Sequence, residues 1–129
     1  MTCFWDGIMK SLTQSDFNFI KEKKTNNVAF IKMLKKRCQL TTNVLWQGKP
    51  LRKQEITEHI KAITEYNIND ISNGHLTSVC DSFLLLICEL FKVNIIHRYM
   101  NIEIKYTNKK QSRKTIHYSS NNGHFVCSR

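Results

Sequence analysis

A cysteine near the start of the chain and a histidine near its end are the side chains best suited to covalent chemistry. Cys3 heads a run of apolar residues at helical spacing, namely Phe4, Trp5, Ile8, Met9 and Leu12. This spacing predicts a helix with one buried face. Because the first turn of a helix carries positive partial charge, it favours the thiolate of Cys3, the form that acts as a nucleophile. The alternative is a small buried thiol, since free cysteine is among the most buried residue types.

His124 is the expected partner of Cys3. It follows a turn-forming run, Ser119–Gly123, and opens a predicted strand, so its ring is expected to reach the head of the first helix. In such a pair the histidine accepts the thiol proton and later donates it to a leaving amine. His97 and His117 lie inside predicted strands, where packing or surface roles are expected.

A metal site is not expected. The chain has five cysteines and five histidines but no C-x-x-C or H-x-x-x-H pair, the spacings typical of protein zinc sites. His124 and Cys127 are three residues apart, and on a strand an odd offset points two side chains to opposite faces. The sequence therefore predicts no metal and no other cofactor. The odd number and irregular spacing of the cysteines also predict no disulfide framework.

The net charge of +10 is concentrated in residues 21–53, which we call the basic segment. It holds ten basic side chains and one acidic one, Glu22. A basic patch indicates an anionic partner, and weak nonspecific binding of nucleic acid is expected from it. The alternative is a solvated face that keeps the protein soluble.

No targeting or membrane segment is expected. The first residues include Asp6 and no apolar run of the kind found in signal peptides. The longest apolar run, Phe83–Phe91, contains Glu89 and is too short to span a bilayer. We therefore expect an intracellular monomer without a membrane partner. Heavy use of isoleucine, lysine and asparagine suggests an A/T-rich genome such as that of many viruses, which would place the protein in the host cytoplasm.

Further helices are predicted between the first helix and residue 92. Ser15 and Asp16 could cap a short second helix, and Asn26 and Asn27 precede a third. The buried stripe of the third would be Val28, Ile31, Leu34 and Cys38. Pro50 suits the first turn of a fourth. The helix around Phe83–Phe91 is apolar on nearly every side, so it is expected to be central, with Cys80 and Cys88 as core residues.

After residue 92 the period of the apolar residues changes from that of a helix to that of a strand. Four strands with short polar connections are predicted, at Val93–His97, Ile102–Tyr106, Thr115–Tyr118 and His124–Cys127. Helices first and strands last predict an α+β fold, in which a mostly antiparallel C-terminal sheet packs on the buried central helix. Residues 1–129 are expected to form a single domain.

Three short motifs resemble the ovarian-tumour (OTU) family of cysteine proteases. The run Cys3-Phe4-Trp5-Asp6-Gly7-Ile8 resembles the family's nucleophile motif, in which cysteine precedes two apolar or aromatic residues and a small residue precedes an aliphatic one. Leu90–Ile95 is similar to its helix-to-strand passage, and Gly123–Val126 to its closing histidine strand. The motifs occur in the family's order, and the comparison is with its compact viral members. The resemblance implies a papain-like OTU fold.

The sequence departs from the family's pattern at two points. Members usually carry Asp-Gly-Asn or similar before the cysteine, where the aspartate supports the oxyanion hole, whereas only Met1 and Thr2 precede Cys3. Either residues are missing or the hole is built differently, with Thr2 as a candidate. The position two after the histidine, often Asn or Asp, is Val126. The pair could act as a dyad, or Asn121 or Asn122 could orient the ring.

The resemblance implies a deubiquitinase, which cleaves the isopeptide bond after the Gly-Gly end of ubiquitin or a ubiquitin-like modifier. Some viral members also cleave their own polyprotein. The loop at residues 67–76 supplies the substrate-binding candidates Asp70, Asn73, Gly74 and His75, with Asp70 suited to the arginines of the ubiquitin tail. Two alternatives stay open: a catalytically inactive OTU-like binding protein, and a basic nucleic-acid-binding module.

Overall fold

The computed structural model describes residues 3–69, 80–121 and 124–128. Within these ranges the chain forms five α-helices and six β-strands. The helices are α1 (Cys3–Ser11), α2 (Gln14–Phe19), α3 (Asn27–Lys36), α4 (Lys53–Thr64) and α5 (Cys80–Phe91). The strands are β1 (Val44–Trp46), β2 (Lys49–Pro50), β3 (Asn94–Tyr99), β4 (Ile102–Asn108), β5 (Thr115–Asn121) and β6 (His124–Ser128). The prediction of an α+β fold is confirmed.

The six strands form one mixed sheet in the order β2-β1-β4-β3-β5-β6. Every neighbouring pair is antiparallel except β3 and β5, which run parallel. Ile95 on β3 lies opposite Tyr106 on β4 and Ile116 on β5, and all three are buried. The four strands predicted from the sequence are present, and β1 and β2 extend the sheet beyond them.

Helix α5 is the buried centre of the fold, as its composition predicted. Ten of its residues are buried. It packs on β1, β3 and β4 of the sheet, while α2 and α4 cover it elsewhere. Across the described ranges, no helix is both long and apolar enough to cross a bilayer.

Three local predictions were wrong: the cap of α2, the place of Pro50 and one buried residue of α3. The cap of α2 is Thr13: its Oγ1 accepts from the Asp16 backbone N–H at 3.2 Å, and Asp16 Oδ2 accepts from the Thr13 N–H at 2.8 Å, which is a capping box. Pro50 lies in the edge strand β2, a position that tolerates a residue without an N–H, and α4 begins at Lys53. On α3, Val28 is exposed, and the buried residues are Phe30, Ile31 and Leu34.

Asp16 also ties α2 to the segment that leads into β5. Its side chain is 3% exposed and accepts hydrogen bonds from Lys114 Nζ at 2.6 Å and from the two terminal nitrogens of Arg113 at 3.1 and 3.2 Å. Burial opposes ionisation of this carboxyl. The hydrogen bonds from Lys114, the Thr13 backbone and Arg113 outweigh that effect and lower the pKa of Asp16 below its ordinary value of 3.8.

We expect Asp16→Asn to destabilise the fold by about 3 kcal/mol at neutral pH, because it leaves two cations without their buried partner. Since the folded-state pKa lies below the unfolded one, the contribution of Asp16 is present above about pH 4 and is lost as the pH falls further. Urea unfolding of both proteins from neutral pH down to about pH 2, which lies below most carboxyl pKa values, should therefore show a stability gap that closes at the acid end. A gap that is constant with pH would contradict this account.

Candidate active site

Helix α1, which begins at Cys3, is fixed to the core near both of its ends. Near its start, the Trp5 ring packs on Phe83 of α5 with ring centroids 4.8 Å apart. Trp5 Nε1 donates a hydrogen bond to the Tyr66 hydroxyl at 3.3 Å. At the other end, the Ser11 hydroxyl forms a hydrogen bond with the Tyr118 hydroxyl of β5. The first turn of α1 therefore has a defined position relative to the sheet.

The same turn contacts the beginning of β6. The rings of Phe4 and Phe125 lie 4.8 Å apart between centroids, and α1 packs against β6. Phe4 directly follows Cys3 and Phe125 directly follows His124. The fold thus brings together the two segments that carry the predicted nucleophile and the predicted base, each at the first residue of its element.

The remaining predicted site residues divide into two groups. Asn121 is the last residue of β5 and pairs in register with His124 across the β5–β6 hairpin. The others lie outside the described residues: Thr2, Asn122, Asp70, Asn73, Gly74 and His75.

The histidines inside strands have the packing and surface roles predicted for them. His97 is buried on β3, where its Nε2 forms a 2.6 Å hydrogen bond with the Ser120 hydroxyl and its ring lies 5.3 Å from that of Phe125. His117 is exposed on β5. The contact of Ser120 with His97 was not anticipated, because only the parallel pairing of β3 with β5 brings these residues together.

Three other thiols are poor nucleophiles because of where they lie. Cys80 and Cys88 are buried in α5, which confirms their predicted core role. Burial, with a smaller contribution from the neighbouring Glu89, raises the pKa of Cys88 to about 12. Burial also raises the pKa of Cys80 and, to a smaller degree, that of the half-buried Cys38. All three are therefore protonated at neutral pH, and a thiol reacts only through its thiolate.

Comparisons with known proteins identified no relative of this chain. No protein-family model matches the chain, and neither the curated proteins nor the solved structures contain a match. Within the described part of the chain, no group of three or more histidine, cysteine, aspartate or glutamate side chains could hold a metal ion.

We expect Cys3 to be alkylated faster than Cys38, Cys80 and Cys88 in the folded protein. A thiol with a pKa of about 12 is ionised to an extent on the order of one part in 10⁵ at pH 7. Brief iodoacetamide treatment followed by peptide mass spectrometry gives the order of modification. In urea the four thiols should react at similar rates, and a native order led by Cys80 or Cys88 would show that the burial argument is wrong.

Proposed function

We propose that this protein is a cysteine isopeptidase of the OTU type, which releases ubiquitin or a ubiquitin-like modifier by cleavage after its Gly-Gly end. The observation that carries the proposal is the packing of Phe4 on Phe125. It joins the first turn of α1 to the start of β6, and these are the segments of Cys3 and His124. A helix that begins with the nucleophile and packs on the strand of the histidine is also the arrangement implied by a papain-like OTU fold.

The reaction needs only these two side chains and backbone N–H groups. His124 accepts the proton of the Cys3 thiol, and the thiolate attacks the carbonyl carbon of the terminal glycine of the modifier. The C–N bond of the isopeptide then breaks, and His124 donates its proton to the departing lysine amine. Water, deprotonated by His124, hydrolyses the resulting thioester and releases a carboxylate and the Cys3 thiol.

Two features of α1 support this chemistry. Its N-terminal turn favours the Cys3 thiolate and offers N–H groups to an oxyanion. The contacts of Trp5 with Phe83 and Tyr66 hold that turn rigidly. A rigid element keeps reacting groups aligned better than a loop does.

Asn121 is the residue that we propose to orient His124. Val126 occupies the family's usual position for this function, and valine cannot form a hydrogen bond to imidazole. Asn121 pairs with His124 across the hairpin, and cross-strand pairs are close neighbours. An asparagine in this role would fix the ring orientation without adding a charge.

We expect a ubiquitin probe with an electrophilic C-terminus to form a covalent adduct with the wild-type chain. Cys3→Ala should abolish both the adduct and the cleavage of diubiquitin, while circular dichroism shows a retained fold. Cys38→Ala is the matched control, since it removes a different thiol that is only half-buried, and it should retain full labelling. Labelling that survives Cys3→Ala would contradict the assignment of the nucleophile. Tight ubiquitin binding without an adduct would instead indicate an inactive binding protein.

His124, and not His117, is expected to be the general base. An ion pair with His124 should hold the pKa of the Cys3 thiol below the ordinary value of about 8.5. His124→Ala should raise the midpoint of Cys3 alkylation against pH and slow diubiquitin cleavage by a factor on the order of 10²–10⁴. His117→Ala removes an exposed histidine from the neighbouring strand and should change neither. A midpoint that moves with His117 and not with His124 would reverse the assignment.

A further inference from the structure

A cleft of about 1000 Å³ opens where α2, α3 and α5 end. Four cationic side chains line it, and they come from three separate parts of the chain. Lys36 and Arg37 belong to the end of α3, Lys92 follows α5, and Lys110 lies between β4 and β5. The fold therefore places Lys92 and Lys110, which lie outside the basic segment, next to two cations of that segment.

The charge of this cleft is only partly compensated. Arg37 forms an ion pair with Glu22 at 3.1 Å, and Lys92 forms one with Glu89. Of the residues that line it, all within the described ranges, Glu89 alone carries a carboxylate. That carboxylate is directed to Thr41, whose backbone N–H and hydroxyl donate at 2.8 and 2.7 Å, and it lies 3.7 Å from Lys92. Lys36 and Lys110 are exposed, and in the described part of the chain neither forms an ion pair. The exposed ammonium groups of Lys36 and Lys110 favour an anionic ligand.

An exposed aromatic ring borders the same cleft. Phe19 is 42% exposed, whereas the other six phenylalanines are buried. The guanidinium of Arg113 lies over its ring at 4.2 Å from the centroid, and Asp16 holds that guanidinium in place. A fixed, partly exposed ring next to cations is the combination that binds bases by stacking and phosphates by charge.

The cleft is separate from the candidate active site. Strands β3 and β5 begin near it, since the Arg113 N–H donates to the Lys92 carbonyl and the Asn94 N–H to the Lys114 carbonyl. Strand β5 then runs from Thr115 to Asn121, whose register partner on β6 is His124. At about 3.3 Å per residue, this strand separates the two regions by roughly 20 Å.

We propose that this cleft binds single-stranded nucleic acid, with phosphates on Lys36 and Lys110 and a base stacked on Phe19. An acidic peptide could use the cations, but it would leave the exposed ring without a function. The isopeptidase reaction does not use the basic segment, and nucleic-acid binding in the cleft would give part of this segment a function. Such binding does not depend on the isopeptidase reaction.

The test is fluorescence anisotropy with a labelled 12-nucleotide oligouridylate at several salt concentrations, a length within the site sizes of about 4–16 nucleotides known for single-strand binders. The variant Lys36→Gln/Lys110→Gln should weaken binding and lower the salt slope by about 1.4, since each phosphate contact to a single strand contributes about 0.7. Its matched control is Lys32→Gln/Lys53→Gln, which removes the same charge from exposed positions of the basic segment outside the cleft. The control should reduce affinity less and leave most of the salt slope intact.

Phe19→Leu tests the stacking contact while keeping an apolar side chain. It should reduce oligouridylate affinity by roughly five- to 150-fold and leave the binding of a double-stranded RNA of equal length unchanged.

Equal losses in the two lysine variants would show attraction by net charge alone and overturn the proposal. Tighter binding of a polyglutamate peptide than of oligouridylate, or no binding of oligouridylate at low salt, would overturn it as well.

Discussion

The near-complete burial of α5 is the constraint on which the rest of the fold depends, since ten of its 12 residues are buried. A helix with almost no exposed face must find partners inside the protein for its polar groups, since a buried group without one costs about 1–3 kcal/mol. Each partner comes from a different surrounding element. Glu89 accepts hydrogen bonds from Thr41, which precedes β1. The Ser82 hydroxyl forms a 2.8 Å hydrogen bond with His59 of α4. Asp81 accepts a hydrogen bond from the Tyr106 hydroxyl of β4. The polar groups of α5 therefore fix the register of its neighbours, while its apolar surface supplies most of the burial.

Helix α1 extends this organisation to the edge of the sheet. Trp5 contacts α5 through Phe83, and Phe4 contacts β6 through Phe125. Consecutive residues of one turn thus connect the centre of the core to its last strand. Aromatic pairs at these separations add directional preference to simple burial. The position of the candidate nucleophile is consequently a property of the whole core.

The sequence predicted those features whose signals are local. The apolar composition of Phe83–Phe91 indicated a covered helix, and the change of period after residue 92 indicated the strands. Helix caps and sheet edges were harder to predict from the sequence. Ser15 and Thr13 are both suitable cap residues, and only the geometry of Asp16 distinguishes them. Contacts between distant segments could not be predicted, among them Asp16 with Lys114, and the basic cleft that residues 36, 92 and 110 form together. Cys3 and His124 were chosen by residue type, but the packing of their two segments depends on Phe4 and Phe125, which no local pattern connects.

The contact of the first helix with the last strand has a consequence for biosynthesis. On a ribosome, α1 emerges early and remains without its partner until β6 has been made, because Phe4 has no Phe125 to pack against. The intervening chain can meanwhile collapse around α5, but the contact of Phe4 with Phe125 joins residues far apart in the sequence, and contacts of this kind are slow to form. A thiol that depends on this contact for its activation would stay dormant during translation. Its reactivity would then begin only when β6 has been made and has packed on α1, so that synthesis itself acts as a timer.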